Sequence, residues 1–263
     1  GRRMGELAWA KPQRPNRREG FAGPVQQNSG RDLACTDARP KRGDAGCLWG
    51  SCLCVVLEPR GTAVDGELPR PETGALKWKH VVANGHDKDR RSNYAAPSPV
   101  TDGQLVSFYY GNGALATYTT DGKKMWAKNI EKEHGEFAYQ WTPSSSPLLH
   151  NGTLYLQVLQ RNSRVHGRGR DNGKSYILGF DPKTGGQLWK VYRPARAKAE
   201  SLEAYSTPVP FTHGGREEIL ITGGDCITGH DPGSGAELWR WGTWNPTRIG
   251  HWRLVPSPVA GAG

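Results

Sequence analysis

From about residue 70 onward, apolar positions fall in short runs that stop at Gly-containing turns, whereas residues 1–66 show neither helical recurrence nor sustained alternation, apart from the run Leu53 to Leu57. The middle of the chain shows the unit most clearly. There S-P-L-L-H turns at Asn151-Gly152 into T-L-Y-L-Q-V-L, and S-Y-I-L-G-F turns at Lys183-Thr184-Gly185 into Q-L-W-K-V. Asn-Gly and Thr-Gly supply the positive φ that tight hairpins need, so this stretch predicts a four-stranded antiparallel meander. Residues 1–66 are expected to be poorly packed or disordered.

The meander recurs. A turn followed by tryptophan ends at Trp78, Trp126, Trp189 and Trp239, at intervals of 48, 63 and 50 residues. A Ser/Thr-Pro that opens a strand recurs at Pro99, Pro147, Pro208 and Pro258, at intervals of 48, 61 and 50. Two unrelated patterns kept in phase mark a repeat, and four-stranded units at such a period predict an all-β fold, a β-propeller. Residues 67–263 then hold three full blades, at about 95–128, 144–192 and 205–241, with a lone fourth-strand motif at 72–80 before them and a lone first-strand motif at 255–259 after. Three blades cannot close a ring, so the chain is expected to be a fragment of a larger, incomplete propeller. The tryptophans are expected to pack between neighbouring blades, each indole N–H on a backbone acceptor.

Composition sharpens this picture only in part. With 35 Gly and 19 Pro among 263 residues, the chain is turn-rich, and its formal charge is +10. No run approaches the roughly 20 apolar residues that a membrane-spanning helix needs, and no signal peptide is visible. Residues 1–66 carry 11 Lys/Arg against 7 Asp/Glu without a dense basic run, which disfavours a nucleic-acid-binding arm. Among Cys35, Cys47, Cys52, Cys54 and Cys226, the C-x4-C-x-C spacing matches no zinc pattern, so no metal site is expected.

The segments F-D-P-K-T-G-G-Q-L-W-K and H-D-P-G-S-G-A-E-L-W-R, with S-P-V/L on the first strand, resemble the pyrroloquinoline-quinone (PQQ) repeat and its tryptophan-docking motif. This repeat occurs in quinoprotein alcohol dehydrogenases, in the propeller lipoprotein of the outer-membrane barrel-assembly machinery and in other PQQ-binding-like propellers of bacteria. The resemblance implies a closed ring of seven or eight blades and a periplasmic or extracytoplasmic location. It leaves the chemistry open, because enzymes and non-enzymes share the repeat. PQQ and calcium enter by the resemblance alone, and the adjacent Cys-Cys pair and catalytic aspartate of the methanol-type enzymes are not matched.

Meander geometry sorts the loops. The first-to-second and third-to-fourth strand turns, all short, lie at one end; the second-to-third and blade-to-blade connections, several of them long, lie at the other. That long-connection end is the candidate ligand face. It collects Trp141, Arg161, Arg164, His166, Arg168, Arg170, Tyr205, Trp244, Arg248, His251, Trp252 and Arg253, a basic and aromatic mixture suited to anionic or planar ligands. No catalytic residue is assigned. G-R-G-R-D-N-G-K-S lacks the glycine that a phosphate loop requires, Asn151-Gly152-Thr153 is read as a hairpin turn, and Asp231 is read as opening a turn rather than joining Asp225 and His230 in acid–base work. The sequence therefore favours a non-catalytic binding or scaffold module holding a protein or small-molecule partner, with a PQQ- and calcium-dependent oxidoreductase acting on alcohols or sugars as the alternative.

Overall fold

The structure, a computed structural model, describes Leu33–Cys35, Cys54–Leu57, Ala63–Pro69, Leu76–Asn84 and residues 93–242 and 244–259, all within one compact unit, Arg31–Gly263. Four sheets account for the strands. The first holds β1 (Leu33–Cys35), β2 (Cys54–Leu57), β3 (Ala63–Pro69) and β4 (Leu76–Asn84). The second holds β5 (Val100–Thr101), β6 (Leu105–Tyr109), β7 (Ala114–Thr119) and β8 (Lys124–Asn129). β9 (Leu148–His150), β10 (Thr153–Val158), β11 (Tyr176–Phe180) and β12 (Gln187–Tyr192) form the third, and β13 (Val209–His213), β14 (Arg216–Gly223), β15 (Cys226–His230) and β16 (Glu237–Trp241) the fourth. Every sheet is an antiparallel meander in chain order. One short helix, α1 (Ile130–His134), follows β8 and is capped by Asn129, whose Oδ1 accepts from the Lys132 N–H.

The sequence predicts three complete sheets; the described residues hold four. The strand expected alone at 72–80 is β4, and it pairs with β3, which pairs with β2 and through it with β1. β1 and β2 have three and four residues, too few for a period, and β3 reads A-V-D-G-E-L-P. Pairing makes them strands where local propensity does not. The expected boundary after residue 66 thus falls inside β3. The remainder of 1–66 lies outside the described residues. At the other end residues 255–259 form no strand, although Ser257 keeps the repeat's contact: its Oγ accepts from the Thr207 N–H at 2.8 Å, as Ser146 Oγ accepts from the Ser98 N–H at 2.9 Å.

Neighbouring sheets stack face to face, and each pair buries its own core. Leu68, Val106, Phe108 and Tyr118 lie between the first and second sheets; Tyr109, Leu115, Leu154, Leu178 and Phe180 between the second and third; Tyr155, Leu159, Ile177, Ile219 and Ile221 between the third and fourth. Because β6 and β10 are covered on both faces, they are buried without alternation along almost their whole length, and they bury the polar Ser107 and Gln157 as well.

The fourth-strand tryptophan of each of the first three sheets joins the core shared with the next. Trp78 Nε1 donates to Thr120 O at 3.2 Å and Trp126 Nε1 to Pro182 O at 2.8 Å, as expected, but the buried Trp189 Nε1 meets no acceptor among the described residues. Each indole lies on the glycine of the following sheet's turn. A Cβ on Gly122, Gly185 or Gly235 would sit 2.8, 2.5 or 2.6 Å from Trp78, Trp126 or Trp189, and all three glycines have positive φ. Only glycine meets both demands. The turn itself is built by aspartate: Asp181 Oδ1 accepts from the Lys183 and Thr184 N–H groups, and Asp231 Oδ1 from Ser234 N–H and Oγ. Trp239, on the last described sheet, instead donates within its own sheet to Glu218 Oε2 at 2.5 Å.

Arg193 bolts the third sheet to the fourth. It follows β12, is 1% exposed, and donates to Thr228 Oγ1 (2.8 Å), Gly223 O (2.9 Å), Cys226 O (3.0 Å) and Ile221 O (3.2 Å). The chain of bonds continues inward. His230 faces Thr228 Oγ1 through Nε2 at 2.8 Å and Gly235 O through Nδ1 at 2.9 Å, so Nδ1 carries the proton and Nε2 accepts from Thr228. Burial, aided by the Arg193 charge and opposed by the hydrogen bond to Gly235 O, holds the His230 imidazole below its ordinary pKa and keeps it neutral in that role.

Candidate functional site

At the long-connection end, four separate connections meet on one carboxylate. Glu203, fully buried, sits just beyond a 3-10 turn (Ala199–Leu202) in the β12–β13 connection. Its Oε1 accepts from Arg161 Nε at 2.5 Å and from the Gln140 N–H at 3.1 Å; its Oε2 accepts from the Tyr205 hydroxyl at 2.7 Å and Arg253 Nε at 3.2 Å. Glu200 adds a second anion, 2.6 Å from Arg253 Nη2 and 3.4 Å from Arg161 Nη2. Gln140 closes the cluster: its Oε1 accepts from Arg161 Nη2 at 3.0 Å and its Nε2 donates to His166 Nε2 at 2.7 Å. Burial, and then the nearby Glu203 charge, push the Tyr205 phenol far above its ordinary pKa, so it stays a donor.

These bonds divide the twelve predicted residues. Arg161, Tyr205 and Arg253 reach Glu203 directly and His166 reaches the cluster through Gln140. Arg168 lies apart, with Nη2 2.5 Å from Glu131 Oε1, a carboxyl that burial pushes up in pKa while Phe137 N–H and Arg168 pull it back. Trp141 and Trp244 are half-buried, the latter edge-on to Trp241 at 4.9 Å between centroids. Arg164, Arg170, Arg248, His251 and Trp252 are exposed. Three arginines expected to offer charge to a ligand thus have it neutralised internally, by Glu131, Glu200 and Glu203. Sequence reasoning missed those acids, and Gln140, because A-E-S-L-E in a loop carries no sign of which other loops it will meet.

Stacked four-stranded meanders, each tryptophan on the next sheet's glycine turn, with long connections gathered at one end, define an incomplete β-propeller. Among solved structures, the chain is similar to a europium-containing methanol dehydrogenase (TM-score 0.51, 11% identity, covering 81% of this chain and 44% of that one). It is also similar to quinohemoprotein alcohol dehydrogenase ADHIIG from Pseudomonas putida HK5 (0.48, 13%, 74% and 33%) and to BamB from Moraxella catarrhalis (0.41, 15%, 75% and 47%). The likeness to the methanol dehydrogenase bears out the PQQ-type propeller fold read from the repeat; at such identity it is a likeness of fold alone. The chain spans between a third and a half of the length of these structures. No protein-family model and no curated protein matches it.

The described residues do not fit a calcium-bound quinone. Calcium takes roughly six to eight oxygen ligands, carboxylates foremost, and no group of three or more His, Cys, Asp or Glu gathers among the described residues. Both oxygens of the fully buried Glu203 are already engaged by two arginines, a phenol and an amide.

Proposed function

We propose that this chain is a binding or scaffold module of the PQQ-like propeller type, holding a protein partner or small ligand at its long-connection end. One observation carries the reading: a single buried carboxylate ties the β8–β9, β10–β11 and β12–β13 connections and the chain after β16 into one platform. Order established before binding lowers the entropy that association must overcome. On that platform Arg164, Arg170, Arg248, His251 and Trp252 remain exposed. No described helix is long and apolar enough to cross a membrane, and the reading places the chain in the periplasm or another extracytoplasmic compartment, as the repeat implies. The alternative, a PQQ-dependent oxidoreductase, finds no calcium ligand set among the described residues, and no step is derived through it.

Photo-crosslinking tests the reading. A photoreactive phenylalanine derivative placed at Trp252, at the long-connection end, is expected to give a discrete adduct in an extract of the source organism. The same group at Asp121, on an exposed turn at the opposite end, is expected to give none. Equal labelling from both positions, or none from Trp252, overturns the assignment.

A further inference from the structure

The same end holds a cavity of about 760 Å³ between the β12–β13 connection and the fourth sheet, apart from the Glu203 cluster. Small-ligand sites occupy roughly 300–1,000 Å³, so the space is of the right order. It is walled by Arg196 of the β12–β13 connection, Asp225 of the β14–β15 turn, Cys226 of β15, Arg240 of β16, and Asn245 and Arg248 beyond β16.

The charges in this wall are of two kinds. Arg240 is spent, since it holds Glu237 through two bonds of 2.7 and 2.6 Å and donates to Pro194 O at 2.7 Å. Asp225 Oδ2 accepts from Asn245 Nδ2 at 2.8 Å, while its buried Oδ1 has no hydrogen-bond partner among the described residues. Arg196 and Arg248 are different. Both are exposed, and their guanidinium groups make no ion pair or hydrogen bond among the described residues.

The backbone that carries them is nonetheless fixed. Arg248 sits at φ 53 with its N–H on Asn245 O, and the buried Asn245 side chain accepts from the Ile249 N–H at 2.8 Å while it donates to Asp225. Arg196 follows three residues after Arg193, whose guanidinium is locked into the fourth sheet. Two unpaired guanidinium groups on pinned backbone, at the rim of one cavity, make a pair of forks for carboxylate or phosphate oxygens.

We infer that this cavity binds a small, multiply charged oxyanion, a di- or tricarboxylate or a phosphate compound, with Arg196 and Arg248 as its anchors. The inference rests on the reading of the long-connection end as the binding end and gives one part of it a ligand class. Calorimetric titration of the full chain with citrate, and separately with inorganic pyrophosphate, tests it. Saturable binding of one probe is expected, and which probe binds separates the carboxylate source from the phosphate source. Arg196→Gln and Arg248→Gln are each expected to weaken that binding about tenfold, in line with loss of a charge-assisted contact. Lys183→Gln, on an exposed turn at the opposite end and outside the cavity wall, is expected to leave it unchanged. All three side chains are exposed, so the variants are expected to melt with the wild type. Absence of saturable heat with both probes at millimolar concentration overturns the inference, as does an equal loss in Lys183→Gln, which marks diffuse charge attraction. Because the titration reads small anions on the purified chain, its failure leaves the partner reading to the crosslinking result.

Discussion

Arg193→Met is expected to lower the unfolding free energy by about 3 kcal/mol or more, read from the denaturant midpoint, because hydrogen bonds to a charged donor contribute roughly 1.5–3 kcal/mol each. The guanidinium serves three carbonyls, Ile221 O, Gly223 O and Cys226 O, and one hydroxyl, Thr228 Oγ1, all buried in the fourth sheet. Two effects compete. Removing a buried charge relieves its desolvation, which by itself favours methionine. Methionine, however, leaves all four acceptors where water does not reach, and several unmet buried groups at about 1–3 kcal/mol each outweigh that relief. Arg193→Lys separates geometry from charge: a lysine has a compact head that cannot span four acceptors, so it is expected to restore little. Full stability in Arg193→Lys would show that charge alone matters, and unchanged stability in Arg193→Met would remove the bolt from the account.

The second large effect is expected at the seam between the second and third sheets. Trp126→Ala removes the indole that fills that seam and bonds Pro182 O, at an expected cost of about 3 kcal/mol, the low end for large aromatic truncations because Trp126 is only half-buried. Gly185→Ala is expected to cost about 1–3 kcal/mol from its left-handed backbone alone, and more from the clash, since the new Cβ would lie 2.5 Å from Trp126. The clash needs the indole. Combined with Trp126→Ala, the alanine at 185 should therefore cost less than it does alone, a coupling of the size seen between touching residues, roughly 0.5–3 kcal/mol. Strict additivity would mean that the tryptophan does not rest on that turn.

What the sequence made legible follows from where the information lies. The second to fourth sheets could be read because D-G, N-G and T-G fix their hairpins locally and the Trp and Ser-Pro positions repeat in phase. The first sheet could not: β1 and β2 lie 18 residues apart, β1 carries no pattern of its own, and the short run Leu53 to Leu57 that marks β2 does not show what it pairs with. β3 even buries Asp65, whose Oδ2 lies 2.7 Å from Lys79 Nζ, a choice no propensity favours. For the candidate site, Arg161, Tyr205 and Arg253 were legible as long-connection residues by topology. Glu203 was not, because it gathers partners 42, 50 and 63 residues away in the chain, and which loops converge is a property of the packed sheets. Arg193 was missed for a related reason: an arginine before Pro194 reads as a solvated loop residue until the fourth sheet closes over it.

The claim that the long-connection end is one organised platform is tested most directly by hydrogen exchange in the wild type and in Glu203→Gln. The amide keeps the size of the carboxyl and loses its charge and part of its accepting capacity. Exchange is predicted to accelerate together around residues 138–141, 160–162, 200–205 and 249–254, while the turns around Gly122, Gly185 and Gly235 at the opposite end stay as protected as before. Acceleration confined to 200–205, with the other three connections unmoved, would contradict it.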